Sequence, residues 1–211
     1  MHHARQAVGI SKPPSRDHAV LLCDRPQQWR DEAISFLAEG LARQEPTIYL
    51  NGIYPSTQVL SLLGRRGPDP RFPPPVERVS IRPVTQMLMP EGCFDAEAAG
   101  DNLRRILEEA SREGRGRPRL LLDMNWGSYL HLGVAQLLEC ERWLGEEFIP
   151  RHGCYVLCHY ERMLFTPAVL QVLADRHGRV LGDCQPAKIM VPQTSEGSPA
   201  EAAHSLVGGL G

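Results

Sequence analysis

The chain has no apolar run approaching the roughly 20 residues needed to span a bilayer. Its opening Met1-His2-His3-Ala4-Arg5-Gln6 has none of the apolar core of a secretory signal. These two absences predict a cytoplasmic protein with no membrane contact. Charge of one sign is missing as well: acids and bases nearly cancel, to a formal charge of -2. No electrostatic affinity for nucleic acid or acidic lipid is expected from that balance. The basic clusters Arg104-Arg105 and Arg112 to Arg119 have no interleaved aromatics and no helix-turn-helix pattern, so they read as solvated surface. Six cysteines are too few for a disulfide scaffold in 211 residues, and cytosolic thiols stay reduced.

The catalytic and nucleotide signatures of α/β proteins are absent too. A phosphate-binding loop needs glycines whose N–H groups wrap phosphate, followed by Lys and Ser/Thr. The junction after the first apolar run reads Leu22-Cys23-Asp24-Arg25-Pro26-Gln27-Gln28, with no glycine and with an acid that repels phosphate. No G-x-G-x-x-G, G-x-S-x-G or H-E-x-x-H occurs. The sequence therefore calls for no cofactor, no metal and no catalytic residue.

What is present is an alternation of short apolar runs with longer helical periods. His18 to Cys23 and Thr47 to Leu50 read as strands, and Gln28 to Arg43 as an amphipathic helix on Trp29, Ala33, Ile34, Phe36, Leu37 and Leu41. Pro55-Ser56-Thr57 opens a second helix. The proline-rich stretch from Gly64 to Pro75 is a loop, and Val76 to Ile81 a strand. Thr85 to Cys93 reads as irregular. Asp95 to Gly114 is helical, Leu120-Leu121-Leu122 a buried strand ending in Asp123, and Val134 to Phe148 a helix. Cys154 to Glu161 is the next strand, Pro167 to His177 the last clear helix, and Val180-Leu181 and Ile189 to Val191 are weaker strands. Strands alternating with helices imply βαβ crossovers. The expectation is one three-layer α/β domain over 16–192, with a mostly parallel sheet and helices on both faces. A flexible leader over 1–15 and a flexible tail over 193–211 flank it.

Ligands of such sheets sit beyond the carboxyl ends of central strands. The run Gly153 to Glu161 ends there in His159, Tyr160 and Glu161, with Phe165-Thr166-Pro167 following. On an extended strand Cys154 and Cys158 lie about 13 Å apart and cannot share a metal, and His159 points away from Cys158. Asp123 reads equally as a carboxylate accepting backbone N–H bonds and as a pocket group. Trp126 reads first as core, and Glu141 first as a solvated carboxylate. The predicted ligand-binding set is His18, Asp123, Asn125, Trp126, Cys158, Tyr160 and Phe165. Trp126 and Phe165 would wall it, with Asp123, Asn125 and Tyr160 orienting the ligand.

The order of these features resembles the MEDS domain, the methanogen/methylotroph DcmR-type sensory domain. The resemblance rests on Asp17 to Asp24, Phe36 to Leu41, Thr47 to Leu50, Gly92-Cys93-Phe94-Asp95 and Asp123-Met124-Asn125-Trp126. It continues through Leu137 to Glu141, Leu157 to Arg162 and Phe165-Thr166-Pro167, and so spans about 16–192. The chain departs from the family pattern in Asp123 for a usual Glu and Cys23 where Tyr is common. The resemblance implies a RecA/KaiC-like fold without its phosphate-binding loop, used for sensing in signal transduction or transcription control. It implies an unidentified small-molecule ligand. With no DNA-binding module in the chain, the output is expected to be a regulatory protein partner rather than nucleic acid, and self-association is left open. The competing readings are a degenerate RecA-like nucleotide-binding protein or enzyme, and a purely structural interaction module.

Overall fold

The computed structural model describes residues 15–66, 75–128 and 133–182. The expected tail, the candidate strand Ile189–Val191, nearly all of the expected leader and most of the proline-rich loop lie outside the described residues. Six strands form one sheet in the order β3-β2-β4-β5-β1-β6. They are β1 (His18–Cys23), β2 (Thr47–Asn51), β3 (Val79–Pro83), β4 (Arg119–Asp123), β5 (Tyr155–Glu161) and β6 (Arg179–Leu181). Every pairing is parallel, so the sheet is parallel throughout the described residues.

Parallel strands need long crossovers, and these carry the helices. Helices α1 (Pro26–Ala42) and α2 (Ser56–Gly64) cover one face. Trp29, Ile34, Leu37, Val59 and Leu63 pack there on Leu21, Cys23, Tyr49, Leu121 and Leu157. The other face carries α3 (Val84–Leu88), α4 (Ala96–Ser111), α5 (Gly133–Trp143), α6 (Ile149–His152) and α7 (Pro167–Arg176). Its core joins Val20, Leu22, Leu50, Leu120, Leu122, Cys158 and Tyr160 to helix residues such as Leu103, Leu137 and Leu173. The result is the three-layer α/β fold that the alternation of runs predicts. No helix among the described residues is long and apolar enough to cross a membrane.

Local chemistry sets the helix starts. The Gln28 side-chain oxygen accepts the backbone N–H groups of Asp24 (2.7 Å) and Arg25 (3.1 Å), closing the first turn of α1. Asp95 caps α4 by accepting the Ala98 N–H at 2.7 Å, and Thr166 with Pro167 opens α7.

Four local expectations are corrected. Val76–Arg78 is a 3₁₀ turn, and the strand begins only at Val79. The stretch after it contains a short helix, because Val84, Met87 and Leu88 recur at helical spacing and are all buried. Arg119 is not solvated: it is buried, pairs with Glu45 and with Glu39 (2.8 Å), and lies over the Phe36 ring at 5.1 Å. The helix predicted to end at Phe148 runs on to His152 through a widened π segment, Leu144–Phe148. Pro150 supplies the reason, since its missing N–H and bulky ring cannot meet the carbonyl four residues back.

The widened segment lets Gly145 approach β1 closely. A Cβ at Gly145 would stand 3.1 Å from His18 Nδ1. Gly145→Val should therefore cost about 1–3 kcal/mol by overpacking, read as a lower urea midpoint at unchanged slope. Gly153, which ends α6 at φ +61° with open space around it, should accept Asn with a much smaller loss.

Candidate functional site

Strand β5 lies between β4 and β1, covered on both faces, and all but its first residue are buried. Its side chains alternate across the sheet, and so do its polar groups. Cys158 and Tyr160 enter the layer beneath α5 and α7, while His159 and Glu161 enter the layer beneath α1. Each pair gathers partners from other elements.

Beneath α5 and α7, four donor groups converge with no solvent access: His18 of β1, Glu141 of α5, Cys158 of β5, and His177 just after α7. Their nearest donor atoms all lie within 4.8 Å of one another. Glu141 Oε2 stands 3.1 Å from His18 Nε2 and 3.1 Å from His177 Nε2. Cys158 Sγ lies 3.5 Å from His18 Nε2. The two imidazoles pack at 4.0 Å between centroids. The Tyr160 hydroxyl donates a short hydrogen bond to Glu141 Oε1, which leaves Oε2 to face both histidines. His177 Nδ1 lies 2.6 Å from the Leu173 carbonyl, an acceptor only, so this nitrogen carries the proton.

Burial alone would raise the Glu141 carboxyl, but the charges and hydrogen bonds of His177 and His18 outweigh it and hold the group well below its usual range. Burial, with His177 adding to it, pushes His18 down. Burial and the Glu141 charge push the Cys158 thiol well up. The centre in this form is an ionised carboxylate beside a neutral His18 and an uncharged thiol, the opposite of an activated cysteine nucleophile.

The second cluster, beneath α1, is a clasp. Asp123 accepts the Ile53 N–H at 2.7 Å through Oδ2. Its Oδ1 accepts from the Asn125 side chain at 2.6 Å and the Asn125 backbone at 3.2 Å. Asn125 Oδ1 in turn accepts the Glu161 N–H at 2.8 Å, tying the ends of β4 and β5 together. Glu161 accepts the Tyr54 hydroxyl at 2.8 Å. His159 sits between the carboxylates at ion-pair distances, 3.8 Å from Asp123 and 3.5 Å from Glu161. Trp29 stacks on Tyr54 at 3.8 Å, and His159 meets those rings at 6.2 and 5.9 Å. A Cβ at Gly52 would collide with the Asp123 carboxyl at 2.8 Å, so glycine is needed for this close turn.

The seven predicted residues do not form one pocket. His18, Cys158, Tyr160, Phe165 and Trp126 belong to the layer beneath α5 and α7. Asp123 and Asn125 join His159 and Glu161. Trp126 is fully buried core, and Asp123 has the backbone-accepting role weighed for it. Phe165 packs edge-on against Tyr160 at 5.4 Å.

Sequence reasoning missed Glu141, His177 and the partnership of His159 with Asp123. Glu141 is 1% exposed, which corrects the solvated reading. A signal was available: Glu141 follows Leu137 by four residues and precedes Leu144 by three, which places it on the apolar stripe. His177 gave no signal, since its position depends on how α7 returns to β6. A surface groove of about 300 Å³, lined by Glu45, Arg78, Glu109 and Glu113 among others, belongs to neither cluster.

A family model described as the methanogen/methylotroph DcmR sensory domain, MEDS, matches residues 17–178. The chain belongs to the MEDS family. The matched span runs from just before His18 to just past His177, so this MEDS domain contains both clusters entire. Among curated proteins none matches the chain. A sensory role follows from the family.

The clasp carries a pH signature. Burial alone would lower His159, but Asp123, Cys23 and Glu161 outweigh it and hold the imidazole up at about 10, against an ordinary 6.5. A raised folded-state value means that the stabilisation is complete below pH 6.5 and is lost as pH rises through about 10. Glu161 is held low, chiefly by His159, and Asp123 is held low by His159, Ile53 and Asn125 against its burial. Their contribution is present above the ordinary carboxylate range and is lost as pH falls below it. The denaturant midpoint of the wild type should therefore decline between pH 7 and 10. His159→Gln should start lower and decline less over the same interval.

Proposed function

We propose that this MEDS domain is a non-catalytic cytoplasmic sensor that takes its ligand at the His18–Glu141–Cys158–His177 centre. It signals to a regulatory protein partner in transduction or transcription control. The single observation that carries this reading is the convergence of an ionised carboxylate, two imidazoles and a thiol in a layer that is otherwise apolar. Burying such groups costs several kcal/mol per charge relative to a packed hydrophobic core. A binding role accounts for that cost, and a purely structural interaction module does not.

The buried, unactivated Cys158 supports binding over catalysis. The five free cysteines among the described residues suit a reducing compartment. The nucleotide-binding alternative loses its main support, because both Asp123 oxygens are already taken by Ile53 and Asn125 rather than free for a magnesium phosphate.

The output path runs from Glu141 to the Tyr160 hydroxyl, then from the Tyr160 ring to Phe165. Phe165 closes the turn Arg162–Leu164, where Met163 is 87% and Leu164 is 41% exposed. Occupancy of the centre fixes Glu141 and Tyr160, and that biases the turn between a packed and a released state. The partner reads these two exposed apolar side chains.

Hydrogen exchange tests the relay. The chain as purified is compared with the same chain dialysed at pH 4 and returned to pH 7. Amides of the Arg162–Phe165 turn should exchange roughly tenfold faster in the stripped form, a shift of about 1.4 kcal/mol in local opening. Tyr160→Phe should erase the difference between the two forms. Identical exchange in both forms of the wild type would contradict the relay.

A further inference from the structure

We infer that the occupant of the buried centre is a single divalent transition-metal ion of the zinc class, held by His18, Glu141, Cys158 and His177. This rests on the reading of that centre as the ligand site, and deepens it by naming the ligand chemistry.

The convergence of four donor atoms within 4.8 Å of one another, with their outer atoms already engaged on Glu141 and His177, is the geometry of a cation site. His177 places its Nδ1 proton on the Leu173 carbonyl at 2.6 Å. The other ring nitrogen, Nε2, faces Glu141 Oε2 at 3.1 Å. Positive charge belongs between these two atoms, as a proton on Nε2 or as a cation that both atoms ligate. His177 Nε2 and Glu141 Oε2 are both buried without a hydrogen-bond partner. Metal-bound histidines characteristically give their other N–H to a carbonyl or carboxylate, which fixes the ligating nitrogen. Leu173 does this for His177. Tyr160 does the equivalent for Glu141 by engaging Oε1 and leaving Oε2 as the ligand atom.

The spacing agrees. A tetrahedral shell with bonds of about 2.0–2.3 Å has edges of roughly 3.3–3.8 Å. Three of the donor separations are 3.1, 3.1 and 3.5 Å, and none exceeds 4.8 Å. The widest pair must close by about an ångström, within reach of small side-chain rotations.

The donor set selects the ion. Two imidazole nitrogens, one sulfur and one carboxylate oxygen suit zinc and its divalent neighbours, whereas magnesium and calcium want oxygen alone. Charge closes as well: the ion's +2 meets the Glu141 carboxylate and the Cys158 thiolate, giving a neutral buried complex. Binding deprotonates the thiol and releases that proton to solvent. The four ligands come from three strand or helix elements and the turn after a fourth, so the ion also ties α5 and α7 to the sheet.

The test is elemental analysis and native mass spectrometry of freshly purified wild type, followed by cobalt(II) reconstitution of chelator-stripped protein. Expected are close to one zinc-class ion per chain and, with cobalt, visible tetrahedral d–d bands beside a near-ultraviolet thiolate charge-transfer band. Cys158→Ser should abolish the charge-transfer band, and His177→Gln should lower occupancy at least tenfold. Cys140→Ser, equally buried but outside the set, should keep the ion. Should the variants fail to fold, the wild-type cobalt spectrum decides alone. A stripped wild type that takes up neither zinc nor cobalt overturns the inference, as does a cobalt spectrum without thiolate ligation. An organic molecule found in the centre also overturns it while leaving the sensory reading intact, and that reading is judged separately by the exchange of the Arg162–Phe165 turn.

Discussion

A parallel sheet covered by helices on both sides has no wet face, so every polar side chain on a central strand must find its partners inside the protein. Strand β5 is where this constraint governs the molecule. Cys158, His159, Tyr160 and Glu161 occupy four consecutive positions there, all buried, and they alternate between the two layers. One polar strand end therefore becomes two separate centres, each completed by residues distant in sequence.

The centres solve the problem differently. On the α1 side, Asp123, Asn125, His159, Glu161 and Tyr54 form a clasp in which both Asp123 oxygens and the Asn125 oxygen are engaged. It joins the ends of β4, β5 and the turn after β2, and its role is to hold the sheet's carboxyl edge together. On the α5 side the bonds close only around the periphery. Tyr160 and Leu173 engage the outer atoms of Glu141 and His177, while Glu141 Oε2 and His177 Nε2 face each other without a hydrogen bond and His18 Nε2 lies 3.1 Å from Glu141 and 3.5 Å from Cys158. Orphaned buried atoms are rare in folded proteins and call for an explanation. Here Glu141 Oε2 and His177 Nε2 face each other at 3.1 Å, while His18 Nδ1 turns outward beside Gly145.

Much of this was legible in the sequence. Hydrophobic period placed the strands β1, β2, β4 and β5 and the long helices, and Pro55 marked the start of α2. The π segment was not legible, since its cause, Pro150, lies beyond the point where the apolar period fades. Strand alternation correctly separated Cys158 from His159. Applied to Asp123, the same rule would have placed it on the His159 side: Leu120 and Leu122 share a layer with Cys158, and Leu121 and Asp123 take the other. The donor set itself had no spacing motif to find. Its members are brought together by strand order β5-β1-β6 and by the return of α7, which are facts of tertiary topology. Glu141 was the one missed member of the cluster with a local signal, a carboxylate on the buried stripe of its helix.

In the scheme we propose, an event at the centre is felt at the exposed Met163-Leu164 turn through Tyr160 and Phe165. The central claim is that the inner atoms of His18, Glu141, Cys158 and His177 surround a metal ion. X-ray absorption at the zinc edge of the purified protein tests it most directly. The account predicts a four-coordinate shell with one sulfur at about 2.3 Å and three nitrogen or oxygen neighbours at about 2.0–2.1 Å. An edge too weak for one ion per chain, or a shell of six light atoms with no sulfur, would contradict it.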